Sequence, residues 1–314
     1  MESIIFWNCR GARKREASLY LREVVKDYKG FFVGLTETKI SSFDRSDVNQ
    51  IIGNEWDYFN HPSSGTSGGI LILWKKDFAS FEMVDHSLQV VVGQLNINAL
   101  GKWNIATVYG GKDAQTRRSL WSKLENYMSA DEPCIIGGDF NCILSKEDKR
   151  GGKRFYLSKG SKDMKNFMIN NDFHDIGFVG PRYTWCNNKE GNSRIWEGLD
   201  RCLLNSKAIH NVPMAKVRHL PRIASDHAPI SINLVEYQNQ KSSFFRFEDT
   251  WKTYPATWNI ILKAWKKLDY GSNAEILQRK LRRSIKALYY WNKNKCRDLN
   301  LLRDEMKKDI NVTN

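Results

Sequence analysis

Short apolar runs separated by Gly, Asn, Asp and Ser dominate the first three-quarters of the chain. Ile4 to Trp7, Phe31 to Leu35, Gly69 to Trp74, Val90 to Ile97, Trp103 to Tyr109, Cys134 to Ile136 and Pro229 to Leu234 predict strands. Ile70-Leu71-Ile72-Leu73 and Cys134-Ile135-Ile136 are apolar at every position, which predicts sheet covered on both faces. Between these runs the apolar spacing turns helical. Leu19, Leu21, Val24 and Val25 mark a helix over 16–27, and Leu120, Trp121, Leu124 and Met128 mark one over 116–128. Met164, Phe167 and Met168 mark a third over 161–170. Mixed strands and helices of this extent predict one large α/β sandwich over residues 1–235.

The pattern then changes. Residues 236–243 are polar and read as a linker. Trp258, Ile261, Leu262, Trp265 and Leu268 mark a helix face, and Gly271-Ser272-Asn273 is a break with an N-cap candidate. Leu277, Leu281, Ile285, Leu288, Leu299, Leu302 and Met306 continue at near-heptad spacing, interrupted by Asn292 and Lys295. Residues 236–314 are thus expected to form a basic helical tail. It reads either as an amphipathic arm folded back on the main domain or as a coiled-coil or nucleic-acid-binding arm.

Charge sharpens that division. The 314 residues hold 49 Lys and Arg against 35 Asp and Glu, a net of +14. Residues 1–235 carry 32 basic and 26 acidic groups, a net of +6; residues 236–314 carry 17 and 9, a net of +8. A polyanionic partner follows from the surplus, but no chemistry does. A hydrophobic content of 41% is too rich for a disordered chain. No apolar run approaches the roughly 20 residues that cross a bilayer, so no membrane partner is expected. The start, Met1 to Trp7, lacks the basic segment of a secretory signal. Six scattered cysteines with no CxxC pair argue against structural zinc and for reduced thiols.

Candidate chemistry sits in five segments at the ends of apolar strands. They are Trp7 to Gly11, Leu35 to Lys39, Gly137 to Asn141, Gly198 to Arg201 and Ser225 to Pro229. Strand ends in α/β folds are where a rigid scaffold meets open loop. Asn, Glu, Asp and a single His supply mostly hard oxygen donors, which suit Mg²⁺. One His among carboxylates suits proton handling or stabilisation of developing negative charge. Each segment alone also reads blandly: a Gly-Asp-x-Asn turn is an ordinary turn, and Asn8 could simply bond a loop backbone. No P-loop, GxSxG elbow or HExxH helix occurs.

Taken in order, the set resembles the endonuclease/exonuclease/phosphatase superfamily. It reads Trp7-Asn8, Glu37-Thr38-Lys39, Tyr109, Gly138-Asp139-Phe140-Asn141, Leu199-Asp200-Arg201 and Ser225-Asp226-His227-Ala228-Pro229. Trp7 to Gly11, Gly180 to Trp185 and the tail segments Phe245 to Glu248 and Tyr290 to Lys293 are most similar to the apurinic-type endonuclease domain of plant LINE (non-LTR) retrotransposons. The resemblance implies an α/β fold of two packed mixed β-sheets flanked by helices, a four-layer sandwich, with a helical tail leading toward an absent reverse transcriptase. It implies Mg²⁺, with Mn²⁺ as a substitute, held by Glu37, Asn8 and Asp226. It implies that Asp139 activates water, that Asn141 and Tyr109 hold the phosphate, and that His227, supported by Asp200, stabilises charge. Thr184, Trp185 and Arg117 would lie near the nucleic acid. The implied function is a metal-dependent endonuclease that nicks DNA and leaves a 3′-hydroxyl, with nuclear location following from the substrate. The alternatives are a decayed nucleic-acid-binding remnant, or a phosphatase or phosphodiesterase of the same superfamily. Arg10 stands where repair enzymes of this type carry an acid. Gly198 stands where a bulkier residue usually precedes Leu-Asp, an expected loosening of the loop that positions Asp200.

Overall fold

The computed structural model describes residues 2–65, 67–128, 131–235 and 249–312, with backbone alone for 235, 249, 250 and 293–312. The chain divides into two compact units, Met1–Tyr237 and Gln238–Asn314.

The first unit opens with β1 (Glu2–Asn8), α1 (Arg15–Asp27), β2 (Gly30–Thr36), α2 (Arg45–Ile51), β3 (Trp56–His61) and β4 (Ile70–Lys75). It continues with β5 (Ala79–Ser87), β6 (Val90–Ile97), β7 (Gly101–Tyr109), α3 (Ala114–Tyr127) and β8 (Cys134–Asp139). Then come the short β9 (Lys149–Arg150), α4 (Lys159–Asn170), β10 (Phe173–Asp175), β11 (Phe178–Val179), β12 (Trp185–Cys186) and β13 (Trp196–Glu197). It closes with β14 (Asp200–Asn205), α5 (Ser206–Asn211), β15 (Lys216–His219) and β16 (Ile230–Val235). One sheet runs β11-β15-β16-β1-β2-β4-β3 and the other β10-β14-β8-β7-β6-β5, with a small β12-β13-β9 sheet beside them. Both large sheets are mixed: β1 is parallel to β2 and antiparallel to β16, and β7 is parallel to β8.

Alternation along each strand decides the layers. Ile4, Phe6, Phe32 and Ile72 face inward and meet Val91, Leu95, Trp103 and Ile105 of the other sheet. Their neighbours Ile5, Trp7, Val33 and Leu35 face outward, under Tyr20, Leu21 and Val24 of α1 and Val48 of α2. On the far side Val90, Ala106 and Ile136 lie beneath Leu120 and Trp121 of α3 and Met164 and Phe167 of α4. Helices therefore cover both outer faces, and the strands are apolar on both sides because both sides are buried. The result is the four-layer sandwich of two packed mixed sheets.

The sheets approach closely through glycine. Between the sheets, a Cβ on Gly137 would run into the Phe6 ring; within its own sheet, one on Gly138, at φ +134, would run into the Val108 carbonyl of β7. Asp139 follows directly, so these glycines set the depth at which its carboxylate emerges.

All seven predicted strands form, with ends shifted by a few residues. The other nine strands, β3, β5 and β9 to β15, and helices α2 and α5 were not anticipated. β5 alternates half-buried and exposed positions along an edge of its sheet, with Glu82 and Asp85 among them, so its apolar signal is thin.

In the second unit, α6 (Pro255–Trp265) precedes α7 (Asn273–Val312). Leu268 lies beyond α6, and α7 runs unbroken through Asn292 and Lys295. Ser272 caps α7: its backbone N–H donates to Glu275 Oε2 at 2.9 Å. Thr257 Oγ1 donates to the Trp251 carbonyl at 2.6 Å, closing the turn before α6 around a buried indole. The expected linker at 236–243 and the segment Phe245 to Glu248 lie outside the described residues. Among the described residues, no helix is long and apolar enough to cross a membrane.

Candidate active site

The fold brings the five segments to one edge. β1 ends at Asn8, β2 just before Glu37, β7 at Tyr109 and β8 at Asp139. β14 begins at Asp200, which pairs with Asp139 across the antiparallel ladder. His227 lies three residues before β16, whose first residue pairs with Phe6 of β1. Two parallel pairs and two returning strands thus deliver six polar side chains to the same end of the sandwich.

The deeper group is centred on Asp139. Asn8, Asp139, Asp200 and His227 are all at most 3% exposed. Asn8 Nδ2 donates to Asp139 Oδ2 at 2.9 Å, and His227 Nε2 lies 3.6 Å from the same oxygen. His227 Nδ1 meets Asp200 Oδ2 at 3.0 Å. Asp139 Oδ1 accepts the Asn141 backbone N–H at 2.9 Å, and Asn141 Nδ2 donates to the Gly110 carbonyl at 2.8 Å. Asn141 itself holds a left-handed backbone at φ 47.

Electrostatics follow burial. Removal from water pushes the Asp139 carboxyl above its ordinary range, against the pull of His227, and Asp200 adds to the rise. Burial alone would lower His227. The Asp200 and Asp139 carboxylates outweigh it and raise the imidazole to about 9. A buried base with a raised pKa beside a buried imidazolium is suited to moving a proton near neutral pH.

The outer group is the rim. Tyr109 Oη donates to Glu37 Oε1 at 2.5 Å. Trp185 Nε1 donates to Asp226 Oδ2 at 3.0 Å. Arg10 spans the two acids, with Nε 3.3 Å from Glu37 Oε2 and Nη1 2.9 Å from Asp226 Oδ2. Burial first, then Glu37, drives the Tyr109 phenol upward, so it stays a hydrogen-bond donor. Arg10 and Glu37 both have positive φ, at 49 and 50, an uncommon conformation for such residues.

Two donor sets could hold a cation. Asp139, Asp200 and His227 offer ligand atoms within 4.8 Å of one another. There, however, the imidazole is already locked on Asp200. The other set is Glu37, Asp226 and Asn8. Asn8 Oδ1 is buried and has no hydrogen-bond partner among the described residues. An orphaned amide oxygen on the residue that bonds Asp139 fits a hard divalent ion.

Three anticipated nucleic-acid contacts are placed differently. Arg117 is 5% exposed, and its Nη1 donates to the Gly111 carbonyl at 2.5 Å and the Asn141 carbonyl at 3.0 Å. It fastens two site loops from inside and does not face solvent; Arg118 is the exposed neighbour. Thr184 is fully buried, and its Oγ1 accepts the Leu199 and Asp200 backbone N–H groups at 3.1 Å. It holds the strand start that carries Asp200 and does not face solvent. Trp185 is half-buried and tied to Asp226, leaving part of its ring at the rim.

The expected looseness at Gly198 is also corrected. Its N–H donates to the Asp148 carbonyl at 2.8 Å. Arg201 reaches Asp148 at 2.5 Å and Asp175 at 2.8 Å, and clamps the loop. Ser225 was missed as an organiser: its Oγ donates to the Asn8 carbonyl at 2.8 Å and accepts the His227 N–H at 3.2 Å. Its place at the head of the Ser-Asp-His segment was the available signal.

A separate cleft of about 450 Å³ opens at the other end of β1, beside Glu2, Lys29 and Lys75. It holds none of the groups above.

Cys9, Cys134, Cys142, Cys186 and Cys202 are buried and carry no disulfide.

Comparison with known proteins agrees with this architecture. No curated protein matches the sequence. Among solved structures, the endonuclease domain of TRAS1, a telomere-specific non-LTR retrotransposon, is 14% identical at a TM-score of 0.57, covering 76% of this chain and all (100%) of that one. The AP endonuclease LMAP from Leishmania major is 18% identical at 0.58, covering 74% and 86%. An AP endonuclease from Archaeoglobus fulgidus is 16% identical at 0.57, covering 74% and 99%. At such identities these structures share the fold. The Endonuclease/Exonuclease/phosphatase family model matches residues 5–227, a span that begins in β1 and ends at His227. The chain belongs to the endonuclease/exonuclease/phosphatase family.

Proposed function

We propose that the chain is an endonuclease that hydrolyses DNA phosphodiester bonds with Mg²⁺ and is related to the nucleases of non-LTR retrotransposons. The observation that carries this is the buried Asp139 carboxylate shared between Asn8 and His227, with Glu37, Tyr109 and Asp226 at the rim above it. The likeness to the TRAS1 domain and to AP endonucleases supports the choice of DNA.

Asp139 is the general base. Its raised pKa suits it to take a proton from a water positioned in line with the phosphorus. The water oxygen bonds to phosphorus, the P–O3′ bond breaks, and the 3′ oxygen leaves as an alkoxide that takes a proton from solvent to become the 3′-hydroxyl, while the phosphate stays on the 5′ side. Asn141 and Tyr109 orient the phosphate. His227, kept protonated by Asp200, faces the negative charge that builds on the phosphoryl oxygens. Glu37, Asn8 and Asp226 would hold the metal. Bound there, it would supply Lewis-acid stabilisation of the phosphate and leaving oxygen.

A second reading, nucleic-acid binding without cleavage, draws on one observation: Arg10 already engages both rim acids. Supercoiled-plasmid nicking with Mg²⁺, with and without EDTA, separates the two. Metal-dependent nicking that Asp139→Asn abolishes, with binding retained on a gel shift, supports the nuclease. Intact plasmid with a persistent gel shift supports the binder.

A further inference from the structure

Among the described residues, Arg10 is the cationic side chain paired with both rim acids. Arg10 stands in the left-handed region at φ 49, followed by Gly11 at φ 120. The loop is pinned against the end of β2: Cys9 N–H donates to the Thr36 carbonyl and Ala12 N–H to the Thr38 carbonyl, each at 3.1 Å. A pinned, uncommon backbone fixes where the side chain starts. From there the guanidinium bridges Glu37 Oε2 and Asp226 Oδ2. The two acids come from segments 189 residues apart in sequence, and Arg10 is the charged group common to both.

Each acid also accepts from a neutral side chain, and Ser225 Oγ lies a further 3.4 Å from Asp226 Oδ1. Tyr109 donates to the other oxygen of Glu37, and Trp185 donates to Asp226. Both donors are neutral, so neither offsets charge. Without Arg10 the two rim carboxylates would have no paired cation among the described residues.

We propose that Arg10 is a resident countercation that holds Glu37 and Asp226 and so weakens the affinity of this rim for a divalent ion. The inference rests on the reading of Glu37 and Asp226 as metal-holding groups and adds what sets the strength of that hold. Two effects act in the same direction. The guanidinium halves the negative charge that an arriving ion meets. Its two ion pairs must also be given up or rearranged. The Arg10 side chain is 41% exposed, so water screens part of its field and the effect stays modest.

The test is Mn²⁺ titration of the full chain, followed by the loss of the free-ion electron paramagnetic resonance signal. Arg10→Gln removes the charge and keeps a polar amide. Arg10→Asn does the same with a residue that tolerates the left-handed backbone, which guards against a folding defect in the first. Both variants should bind Mn²⁺ about tenfold more tightly than the parent chain. Adding Glu37→Gln to either should remove that gain. Unchanged or weaker binding in both folded variants overturns the inference, as does a gain that survives Glu37→Gln. The readout involves no turnover. A chain that fails to nick plasmid yet shows the gain refutes the proposed activity and leaves the role of Arg10 standing.

Discussion

His227 and Asp200 form a buried pair at 3.0 Å that leaves the second ring nitrogen 3.6 Å from Asp139. The carboxylate fixes the ring and favours its charged form, so one imidazolium faces one base. In the metal-free protein His227 should titrate near pH 9, followed by the ring-proton NMR shift. Asp200→Asn should move that titration down, because burial then acts with less opposition. The folded value lies above the ordinary 6.5, so the stability it contributes is complete below that pH and disappears as pH rises through about 9. A titration near 6.5 in the parent chain would contradict this arrangement.

Arg201 offers a test of the loop that carries Asp200. Its side chain is 10% exposed and joins Asp148 and Asp175, which are 17% and 29% exposed. Breaking a buried pair can cost 3–5 kcal/mol, but partial exposure reduces this, and Asp148 keeps the Leu144 and Ser145 N–H groups. Arg201→Ala should therefore lower unfolding free energy by about 2 kcal/mol in urea denaturation. Nicking by the folded fraction should change little, because Asp200 stays in ladder with Asp139.

Gly138 is constrained twice, by φ +134 and by the Val108 carbonyl. Gly138→Ala should cost about 3 kcal/mol, or roughly 6–12 °C in Tm by calorimetry. Because Asp139 follows, activity should fall in the remaining folded protein as well. A variant with unchanged Tm would show that the close approach is not required.

The net +8 of residues 236–314 makes a further expectation. If this unit contacts phosphates, a chain ending at Val235 should bind DNA with a shallower dependence of log affinity on log salt. An equal slope would assign the phosphate contacts to the first unit.

Some of this was legible in the sequence because it is local. A Gly-Asp-Phe-Asn turn after an apolar strand announces both the strand end and its chemistry. The two-faced apolar strands announced layers above and below. Strand β5 was not legible because an edge strand meets water on one face and carries charge there. The work of Arg117 and Thr184 was hidden for a different reason. Their partners, Asn141 and Asp200, lie 24 and 16 residues away. A polar residue near a site reads the same whether it faces substrate or fastens the wall. Only burial and the bonds made to the site loops distinguish the two. The same holds for Arg10, whose second acid is Asp226, far along the chain.

The pairing of β1 with β16 has a consequence for how the protein is made. β1 sits between β2 and the last strand of its unit to emerge. Until residues near 235 leave the ribosome, β1 presents an open edge, and Asn8 waits without Ser225 and His227. No shorter nascent chain can assemble the cluster around Asp139. Competence therefore arrives in a single late event, when the returning strand zips into the sheet.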